Sequence, residues 1–582
     1  MLYSRAELSV TTMQHLYFRL APALLPLFEL ALMAAAGVLI FRSQQRLSPR
    51  AAPSTFDTLE RAFCRLARRQ VVTVLGIGVG VITLRAALIP LLGVPEPLWH
   101  DEFSYLLAAD TFSHGSLTNP THPMWIPFET FHVIQQPTYM SMYPPAQGLV
   151  LAAGELLGHP WVGQLFITGA MCSALCWMLQ GWMPPAWALL GGTLAALRLG
   201  LLSYWMNSYW CASVAALGGA LVLGAWPRLR RRPSVGESLI LGLGLIILAN
   251  SRPYEGFVFS LPIAATMLIW LLSRRDMRSR PAFTVAVLPM CSVLVVGAVA
   301  TGFYYYRVTG SPFVMTYQVN RNQYGAAPYF IWQRPRAEPE YHHSVMRDYY
   351  RRELGDFERN RTFSGYLERA EEKIAAWWQF YLGPLLTLPL LALPWFFRDR
   401  RMTLPLFVCG AMILAFAVQT WTLPHYFSPA AGALYILLVQ GLRHLAQWRR
   451  RAGGLGRAIV RAIPVVACAM ILLRLTAVAM HAAIEPDWPR GNLQRAAIVR
   501  QLRELPGEQL VLVRPGDHHN LDREWVWNEA SIDRAKVVWA RDMGPDANRE
   551  LMDYFKARTV WQMNEDDATP RLEQYPVPAP LQ

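Results

Sequence analysis

Two adjacent carboxylates, Asp101 and Glu102, follow His100 in the stretch PLWHDEFSY, directly after a long apolar segment. Carboxylates beside a membrane repel each other and lose hydration, which raises a carboxyl pKa and suits a general base for a hydroxyl group. Asp and Glu also favour the first turn of a helix, here the helix expected over FSYLLAADTF, because they cap it and complement its dipole. The sequence leaves both interpretations of the pair open.

Arg252, in NSRPYEGF, interrupts an otherwise continuous apolar block. A charge in such a place is costly unless it is paired. Glu255, three residues later, is the structural partner, whereas a phosphate is the functional one, because a guanidinium binds phosphate through paired hydrogen bonds. We predict the functional role. His425 and Tyr426, in TLPHYFSP, lie at another turn expected on the same side, although a single histidine is more often a structural group.

Four histidines share the first large loop with the two carboxylates and could hold a divalent cation. They are His100, His114, His122 and His132. Their spacing matches no strong ligand pattern, so no metal ligand is assigned and a divalent metal is left open as a cofactor.

Membrane spans are the elements that must position these residues. Of the 582 residues, 53% are hydrophobic, and they come in blocks of about twenty, the length that crosses a bilayer. This pattern predicts a polytopic α-helical membrane protein with about twelve transmembrane helices. The apolar blocks lie near residues 20–41, 71–92, 162–182, 184–205, 208–226, 236–250, 254–272, 282–303, 379–397, 403–421, 424–442 and 458–480.

The formal net charge of +14 comes almost wholly from arginines between these blocks. Such clusters are typical of cytoplasmic loops, and no nucleic-acid motif accompanies them, so we expect no nucleic-acid partner. The clusters are Arg42–Arg69, Arg228–Arg232, Arg274–Arg280, Arg398–Arg401 and Arg449–Arg461. The arrangement predicts a multi-pass protein of the inner (plasma) membrane that contacts membrane lipids.

The positions of the clusters predict which loops face outward. All five lie in the cytoplasm only if Tyr143–Pro160 does not cross, and this segment is too short to do so. We interpret it as an interfacial or re-entrant helix that begins at Pro144 and Pro145. The loops 93–161 and 304–376, the turn 249–256 and the C-terminal region then face the extracytoplasmic side.

Three regions follow from this pattern. Residues 1–70 hold an N-terminal extra transmembrane helix and a cytoplasmic Arg-rich loop, and residues 71–480 form the main transmembrane domain. Residues 487–582 form a small soluble α/β domain, with strands expected at EQLVLVRPG, AKVVWARD and RTVWQM and a helix at DANRELMDYFKAR. At the end of the second loop, YLERAEEKIAAWWQFYLG predicts an amphipathic helix on the membrane surface.

Several enzyme classes lack their motifs in this sequence. We find no Walker loop, no dinucleotide fingerprint after a strand and no GxSxG. The outer compartment supplies no nucleotide-activated donors, so an enzyme working there must take its activated substrate from the membrane.

The chain resembles the GT-C-fold glycosyltransferases that use polyprenyl-phosphate sugars, a superfamily that includes protein O-mannosyltransferases and lipid A aminoarabinose transferases. The resemblance covers roughly residues 71–445 in layout. It rests on the order of WHDEFSY, YPP, HPWVGQLF, NSYW, NSRPYEG and LPHYFSP. It implies a GT-C-like catalytic domain that transfers a sugar from a polyprenyl-phosphate donor to a hydroxyl of a glycan, lipid or protein acceptor, with inversion at the anomeric carbon.

The resemblance also implies roles for single residues. Asp101 acts as the base or polarises the acceptor with Glu102 as its helper, and Arg252 and His425 bind the donor phosphate. The substrate contacts implied by the same layout are Tyr143, Glu255 and Tyr426. Two features depart from the family pattern: the membrane part offers no lysine near the phosphate, and the block at 20–41 is an extra span.

Two other functions stay open at this stage. One is a membrane glycan polymerase or ligase with a lipid-diphosphate donor. The other is a transporter or non-catalytic scaffold. Transporters place ionisable residues near the bilayer midplane and often contain duplicated halves. Here the charges lie at one face and no repeat is found, which favours an enzyme.

Overall fold

The computed structural model describes residues 24–45, 55–273, 280–448, 454–482, 491–516 and 519–576. Parts of several predicted segments lie outside the described residues: 1–23 and 46–54 of the N-terminal region, most of the Arg274–Arg280 cluster, the start of the Arg449–Arg461 cluster and parts of the C-terminal domain.

Four helices form the first described part of the chain. They are α1 (Leu24–Gln45), α2 (Thr55–Ala67), α3 (Gln70–Ala87) and the single turn α4 (Ile89–Leu92). Leucines and valines of α1 and α3 point outward and are exposed, among them Leu39 and Val71. Apolar side chains that find no protein partner are expected where a helix faces lipid.

The first large loop is folded rather than extended. It contains α5 (His100–Ser113), β1 (Asn119–Pro120), β2 (Val133–Ile134), β3 (Thr138–Ser141) and α6 (Pro145–Leu156). The three strands form an antiparallel sheet in the order β1–β3–β2. As predicted, a helix begins at the proline pair, with Pro145 in its first turn. At 12 residues, α6 is about 18 Å long, which is too short to cross a bilayer.

Two glycines let α6 approach the next helix closely. A Cβ atom at Gly163 would lie 2.0 Å from the carbonyl oxygen of Val150, and one at Gly154 would lie 2.2 Å from the backbone nitrogen of Gly163. Any larger residue would push the two helices apart, and α6 also packs against α5. The glycines therefore fix the first loop against the membrane helices.

The central membrane helices surround α7 and α9, which are the most buried of the long apolar helices. The segment contains α7 (Pro160–Trp182), α8 (Pro185–Ala195), a π-helical turn (Ala196–Leu201), α9 (Ala212–Arg231), α10 (Val235–Ala249), α11 (Pro253–Ser273), α12 (Arg280–Ala286) and α13 (Leu288–Thr309). By contrast, α13 exposes nearly all of its apolar length. It therefore lies at the lipid-facing edge.

The second large loop and the remaining membrane helices follow. They comprise α14 (Thr316–Tyr324), α15 (Ser344–Asn360), α16 (Phe363–Tyr381), α17 (Gly383–Thr387), a 3₁₀ turn (Leu388–Ala392), α18 (Leu393–Phe396), α19 (Thr403–Val418), a 3₁₀ turn (Pro424–Ala430), α20 (Ala431–Gln447) and α21 (Leu455–Ala479). The amphipathic helix predicted at the end of the second loop corresponds to α16.

The predicted continuous block at 379–397 is broken. The chain turns by 93° between α16 and the segment Gly383–Phe396. Gly383 has a φ of +56°, which favours glycine, and Pro384, Pro389 and Pro394 each interrupt helical hydrogen bonding. These four residues explain why the segment bends instead of forming the continuous helix that the apolar block predicts.

Seven helices among the described residues are long and apolar enough to cross a membrane, or eight if the bent pair is one span. Three shorter apolar helices, Pro185–Leu201, Val235–Ala249 and Thr403–Val418, account for further predicted blocks. The expected multi-pass helical architecture is therefore found, with fewer full-length spans than the roughly twelve that block counting suggests.

The C-terminal region is the predicted α/β domain. It contains α22 (Leu493–Glu504), β4 (Gln509–Arg514), β5 (Val537–Arg541), α23 (Pro545–Tyr554), β6 (Thr559–Asn564) and β7 (Glu573–Gln574). The strand order is β5–β4–β6–β7, with β4 parallel to both neighbours and β7 antiparallel. Leu510 and Leu512 of β4 share one buried cluster with Leu107 and Val133 of the first loop. The domain is thus packed onto that loop.

The arginine pattern predicts which side of the membrane each loop occupies. We expect a cysteine placed at Ser116 or Ser531, both exposed, to react with a membrane-impermeant thiol reagent on intact cells or spheroplasts. One placed at Val235, beside the Arg228–Arg232 cluster and also exposed, should react only after permeabilisation. The unmodified chain, with its seven cysteines, is the control. Labelling at Val235 from outside would reverse the orientation.

Candidate active site

Asp101 lies in the first turn of α5 and lines a cavity of about 1150 Å³. The cavity is bounded by the first loop, the second loop and the two turns that carry Arg252 and Tyr426, and Asp522 of the C-terminal domain completes its wall. Regions far apart in the sequence therefore meet around one carboxylate.

The Asp101 carboxylate is held by three polar neighbours. The Tyr143 hydroxyl donates a hydrogen bond to Oδ1, and His132 Nδ1 lies 3.0 Å from the same oxygen. His100 Nδ1 lies 3.5 Å from Oδ2. Burial opposes ionisation, but His132 and His100 outweigh it and hold the pKa of Asp101 below its usual range. Asp101 is therefore a carboxylate at neutral pH.

The two histidines contact each other as well as Asp101. Their Nδ1 atoms are 3.0 Å apart, and burial together with the neighbouring His132 lowers the pKa of His100 to about 4. His100 is therefore neutral at pH 7, so one ring can donate to the other. His132 Nε2 lies 3.4 Å from the Tyr349 hydroxyl. These contacts orient Asp101.

Glu102 points away from the cavity. Its Oε2 accepts hydrogen bonds from the backbone nitrogens of Leu98 at 2.9 Å and Trp99 at 3.1 Å, and its Oε1 accepts one from Tyr209 at 3.1 Å. Burial raises its pKa to about 7 against the effect of these donors. The helper role predicted for Glu102 does not fit this position, and the helix-capping interpretation does.

Arg252 lies between α10 and α11 and lines the same cavity as Asp101. Its guanidinium stacks over the Tyr426 ring, 3.9 Å from the ring centroid. The nearest carboxylate oxygen, Glu255 Oε1, is 3.9 Å from Nη1 and also accepts a hydrogen bond from Gln419 at 3.3 Å. The buried Nε has no hydrogen-bond partner within the described chain. The Glu255 pair alone therefore leaves Arg252 incompletely satisfied.

The other predicted site residues divide into two groups. Tyr143, Glu255 and Tyr426 line the cavity, whereas His425 does not. The His425 ring packs 4.3 Å from that of Trp210 and hydrogen bonds to the Tyr204 hydroxyl at 3.3 Å. These contacts fit a structural role, and the contact of His425 with the donor phosphate stays a prediction.

Six basic residues line the cavity besides Arg252, and none of them was assigned to the site from the sequence: Arg321, Arg334, Arg336, Arg352, Arg369 and Lys373. Lys373 of α16 lines it and donates to the backbone oxygen of Gln419 at 2.6 Å. Lys373 is the only lysine before residue 536, and this rarity was a usable signal. A lysine thus lines the same cavity as Arg252. Arg321 also lines the cavity, paired with Glu353 at 2.6 Å.

His100, Asp101 and His132 are placed so that they could hold a divalent cation. Their ligand atoms lie within 4.8 Å of one another, and imidazole with carboxylate suits Zn²⁺. The other two loop histidines bond elsewhere, His114 to Asp110 at 3.1 Å and His122 to Asp533 at 3.0 Å.

Comparison with solved structures finds likenesses to membrane transferases. ArnT from Cupriavidus metallidurans in the apo state is 13% identical with a TM-score of 0.47, over 86% of this chain and 94% of that one. The same protein bound to undecaprenyl phosphate is 14% identical, with a TM-score of 0.46, over 85% and 93%. The archaeal oligosaccharyltransferase AglB from Archaeoglobus fulgidus, in complex with an inhibitory peptide and a dolichol-phosphate, is 11% identical, with a TM-score of 0.45, over 84% and 69%.

At TM-scores below 0.5, the likenesses carry no argument about the activity of this chain. No family model matches the sequence, and curated proteins give no significant match.

The hydrogen bonds that Glu102 accepts predict how its substitution affects stability. Glu102→Ala leaves three backbone N–H groups without an acceptor, two of them in buried hydrogen bonds, so we expect the free energy of unfolding to fall by about 1–3 kcal/mol. Glu102→Gln keeps an acceptor oxygen and should lose less. Thermal unfolding of the purified variants measures this difference. An unchanged melting temperature in Glu102→Ala would contradict the capping role.

Proposed function

We propose that this chain is a membrane glycosyltransferase that moves a sugar from a polyprenyl-phosphate donor to a hydroxyl acceptor at the extracytoplasmic face. The observation that carries the proposal is that an ionised carboxylate, Asp101, and an incompletely paired guanidinium, Arg252, line one cavity beside an apolar groove.

The apolar groove suits the lipid part of such a donor. Its volume is about 930 Å³, and α10 and α13 contribute most of its walls. Val299 and Phe303 of α13 line the groove and are exposed on the lipid-facing side. Pro253 and Met315 border both the groove and the polar cavity. A polyprenyl chain in the groove would thus bring its phosphate to the neighbourhood of Arg252.

Two features at this junction favour an anion. The guanidinium of Arg252 offers a buried donor without a partner, and Arg252 immediately precedes α11. The N-terminus of a helix carries a partial positive charge that attracts phosphate. Lys373, a basic residue, lines the same cavity. Together they supply the positive charge that a departing phosphate monoester needs.

The reaction that this arrangement supports is a direct displacement. The acceptor hydroxyl donates a hydrogen bond to Oδ2 of Asp101, the oxygen that Tyr143 and His132 leave open. Its oxygen attacks the anomeric carbon from the face opposite the phosphate. The new glycosidic C–O bond forms as the bond from the anomeric carbon to the phosphate oxygen breaks, which inverts the anomeric carbon. The hydroxyl proton passes to Asp101, and the negative charge on the polyprenyl phosphate is stabilised by Arg252.

The hydrogen-bonded state of Asp101 affects its part in this reaction. With its pKa held low, Asp101 remains charged and polarises the acceptor hydroxyl, and it accepts the proton only as the hydroxyl becomes acidic on bond formation. Aromatic side chains around it, including Tyr317, Tyr349 and Trp210, line the cavity and offer surfaces on which sugar rings stack.

Substituting Asp101 tests the base directly. Asp101→Asn keeps the side-chain shape but removes the charge and the basic oxygen, so we expect transfer to fall by about 10²–10⁴-fold. Binding of undecaprenyl phosphate to the purified variant should be unchanged. The measurement is single-turnover transfer from the sugar-charged lipid pool of the host membrane, followed by mass spectrometry of the lipid. Wild-type turnover in Asp101→Asn would eliminate the catalytic role.

Substituting Arg252 tests the phosphate site. Arg252→Lys keeps the charge but loses the paired hydrogen bonds, and Arg252→Ala loses both. We expect undecaprenyl phosphate to bind at least about tenfold more weakly to each, because charge-assisted hydrogen bonds contribute about 1.5–3 kcal/mol. Glu255→Gln is the matched control, since it breaks the ion pair and leaves the guanidinium in place.

Two other results would change the assignment. If Arg252→Ala and Glu255→Gln lower the melting temperature equally while lipid affinity stays at the wild-type value, the pair is structural and Arg252 does not bind the donor. Tighter binding of undecaprenyl diphosphate than of the monophosphate, in the same titration, would instead favour a glycan polymerase or ligase.

A further inference from the structure

A second cluster of metal-ligating side chains lies in the C-terminal domain, away from the residues assigned to transfer. It consists of His519, Glu565 and Asp566, whose ligand atoms are all within 4.8 Å of one another. Glu565 and Asp566 follow the end of β6, and His519 lies in the loop after β4. The two strands are parallel neighbours, so the cluster lies at the carboxyl ends of the strands, where ligands of parallel sheets bind.

Glu565 is the residue that most needs an explanation. Its side chain is 1% exposed, and neither carboxylate oxygen accepts a hydrogen bond from any described residue. His519 Nδ1 lies 3.4 Å from its Oε1. A buried carboxylate without partners is expensive, and native proteins pair it or place it on a metal ion.

The nearby cation does not meet this need. Arg541 donates to the Glu524 carboxylate at 2.9 Å and to the backbone oxygen of Glu129 at 2.8 Å, so it is already committed. Burial raises the pKa of Glu565 well above its ordinary value, and the charge of Glu524 raises it further.

Backbone hydrogen bonds fix the orientation of the Asp566 carboxylate. Its Oδ2 accepts from the backbone nitrogen of Gly516 at 2.7 Å and its Oδ1 from that of Asn520 at 3.3 Å. His519 Nδ1 lies 3.0 Å from Oδ2. A Cβ atom at Gly516 would lie 3.2 Å from the Asp566 Cβ, so a glycine permits this close approach. The Asp566 side chain is partly exposed, which leaves a path for an ion to enter.

We propose that His519, Glu565 and Asp566 bind a divalent transition-metal ion. One imidazole and two carboxylates form a donor set that suits Zn²⁺. A divalent cation would satisfy the Glu565 carboxylate and offset the mutual repulsion of the two acidic side chains.

The site is connected to the wall of the large cavity. The chain runs from His519 through Asp522, which lines that cavity and pairs with Arg352 of the second loop at 2.6 Å. The next residue, Arg523, pairs with Trp99 in a β-bridge just before α5. A metal ion at His519 would therefore anchor the segment that holds the C-terminal domain beside Asp101.

The test measures the binding of Zn²⁺, with no other metal added, to the purified full-length chain from which metals have been removed with a chelator. We expect Zn²⁺ to raise the melting temperature and to bind with a stoichiometry that falls by one in Glu565→Gln and in His519→Ala. Affinity at this site should drop by more than the roughly 10–100-fold typical for loss of an outer hydrogen-bond partner of a metal ligand. Asp567→Asn, an exposed neighbour, is the matched control and should bind as the wild type does.

The cluster at Asp101 requires its own control. His132→Ala should leave the Zn²⁺ bound at Glu565 in place, which separates the two clusters in one titration. Unchanged stoichiometry in both Glu565→Gln and His519→Ala would overturn the proposal. A metal-free Glu565→Gln that is more stable than the wild type and equally responsive to Zn²⁺ would show a neutral buried acid instead. Stabilisation by Ca²⁺ but not by Zn²⁺ would overturn the assignment to a transition metal.

Discussion

The position of the cavity depends on the three hydrogen bonds that the Glu102 carboxylate accepts from backbone nitrogens. Two of these nitrogens, those of Leu98 and Trp99, belong to the turn before α5, and the third, that of Tyr209, belongs to the segment before α9. One side chain thus fixes the start of a loop helix to the membrane helices. Because Asp101 precedes Glu102 on that helix, the direction in which the Asp101 carboxylate points is set by its neighbour.

Around this fixed point, the cavity is assembled from parts that are distant in the chain. The first loop supplies His132 and Tyr143, the second supplies Tyr349, and the C-terminal domain supplies Asp522. Each part is itself attached elsewhere: Tyr139 of the first loop, for example, donates to a backbone oxygen in the C-terminal domain. The polar wall therefore belongs to the tertiary structure rather than to any single motif, whereas the apolar groove is built mostly from two neighbouring helices, α10 and α13.

Much of the helical architecture and part of the site could be predicted from the sequence. The apolar blocks predicted the membrane helices, and the proline pair predicted the start of α6. Charges at the ends of apolar blocks indicated Asp101 and Arg252 as candidate site residues. Glu102 could not be separated from Asp101, because residues adjacent on a helix point about 100° apart and only packing decides which one faces the cavity. Lys373 was missed as a cavity residue because it reaches the cavity from the second loop. The bend at Gly383 was missed because the apolar pattern continues through it.

The shared core of the first loop and the C-terminal domain has a consequence for biosynthesis. Leu107 and Val133 bury their side chains against Leu510 and Leu512, which leave the ribosome long after the first loop does. Until then, the apolar surface of the loop has no partner and Asp522 is absent from the cavity wall. The polar cavity can therefore be completed only after the C-terminal domain has been synthesised and has packed onto the first loop.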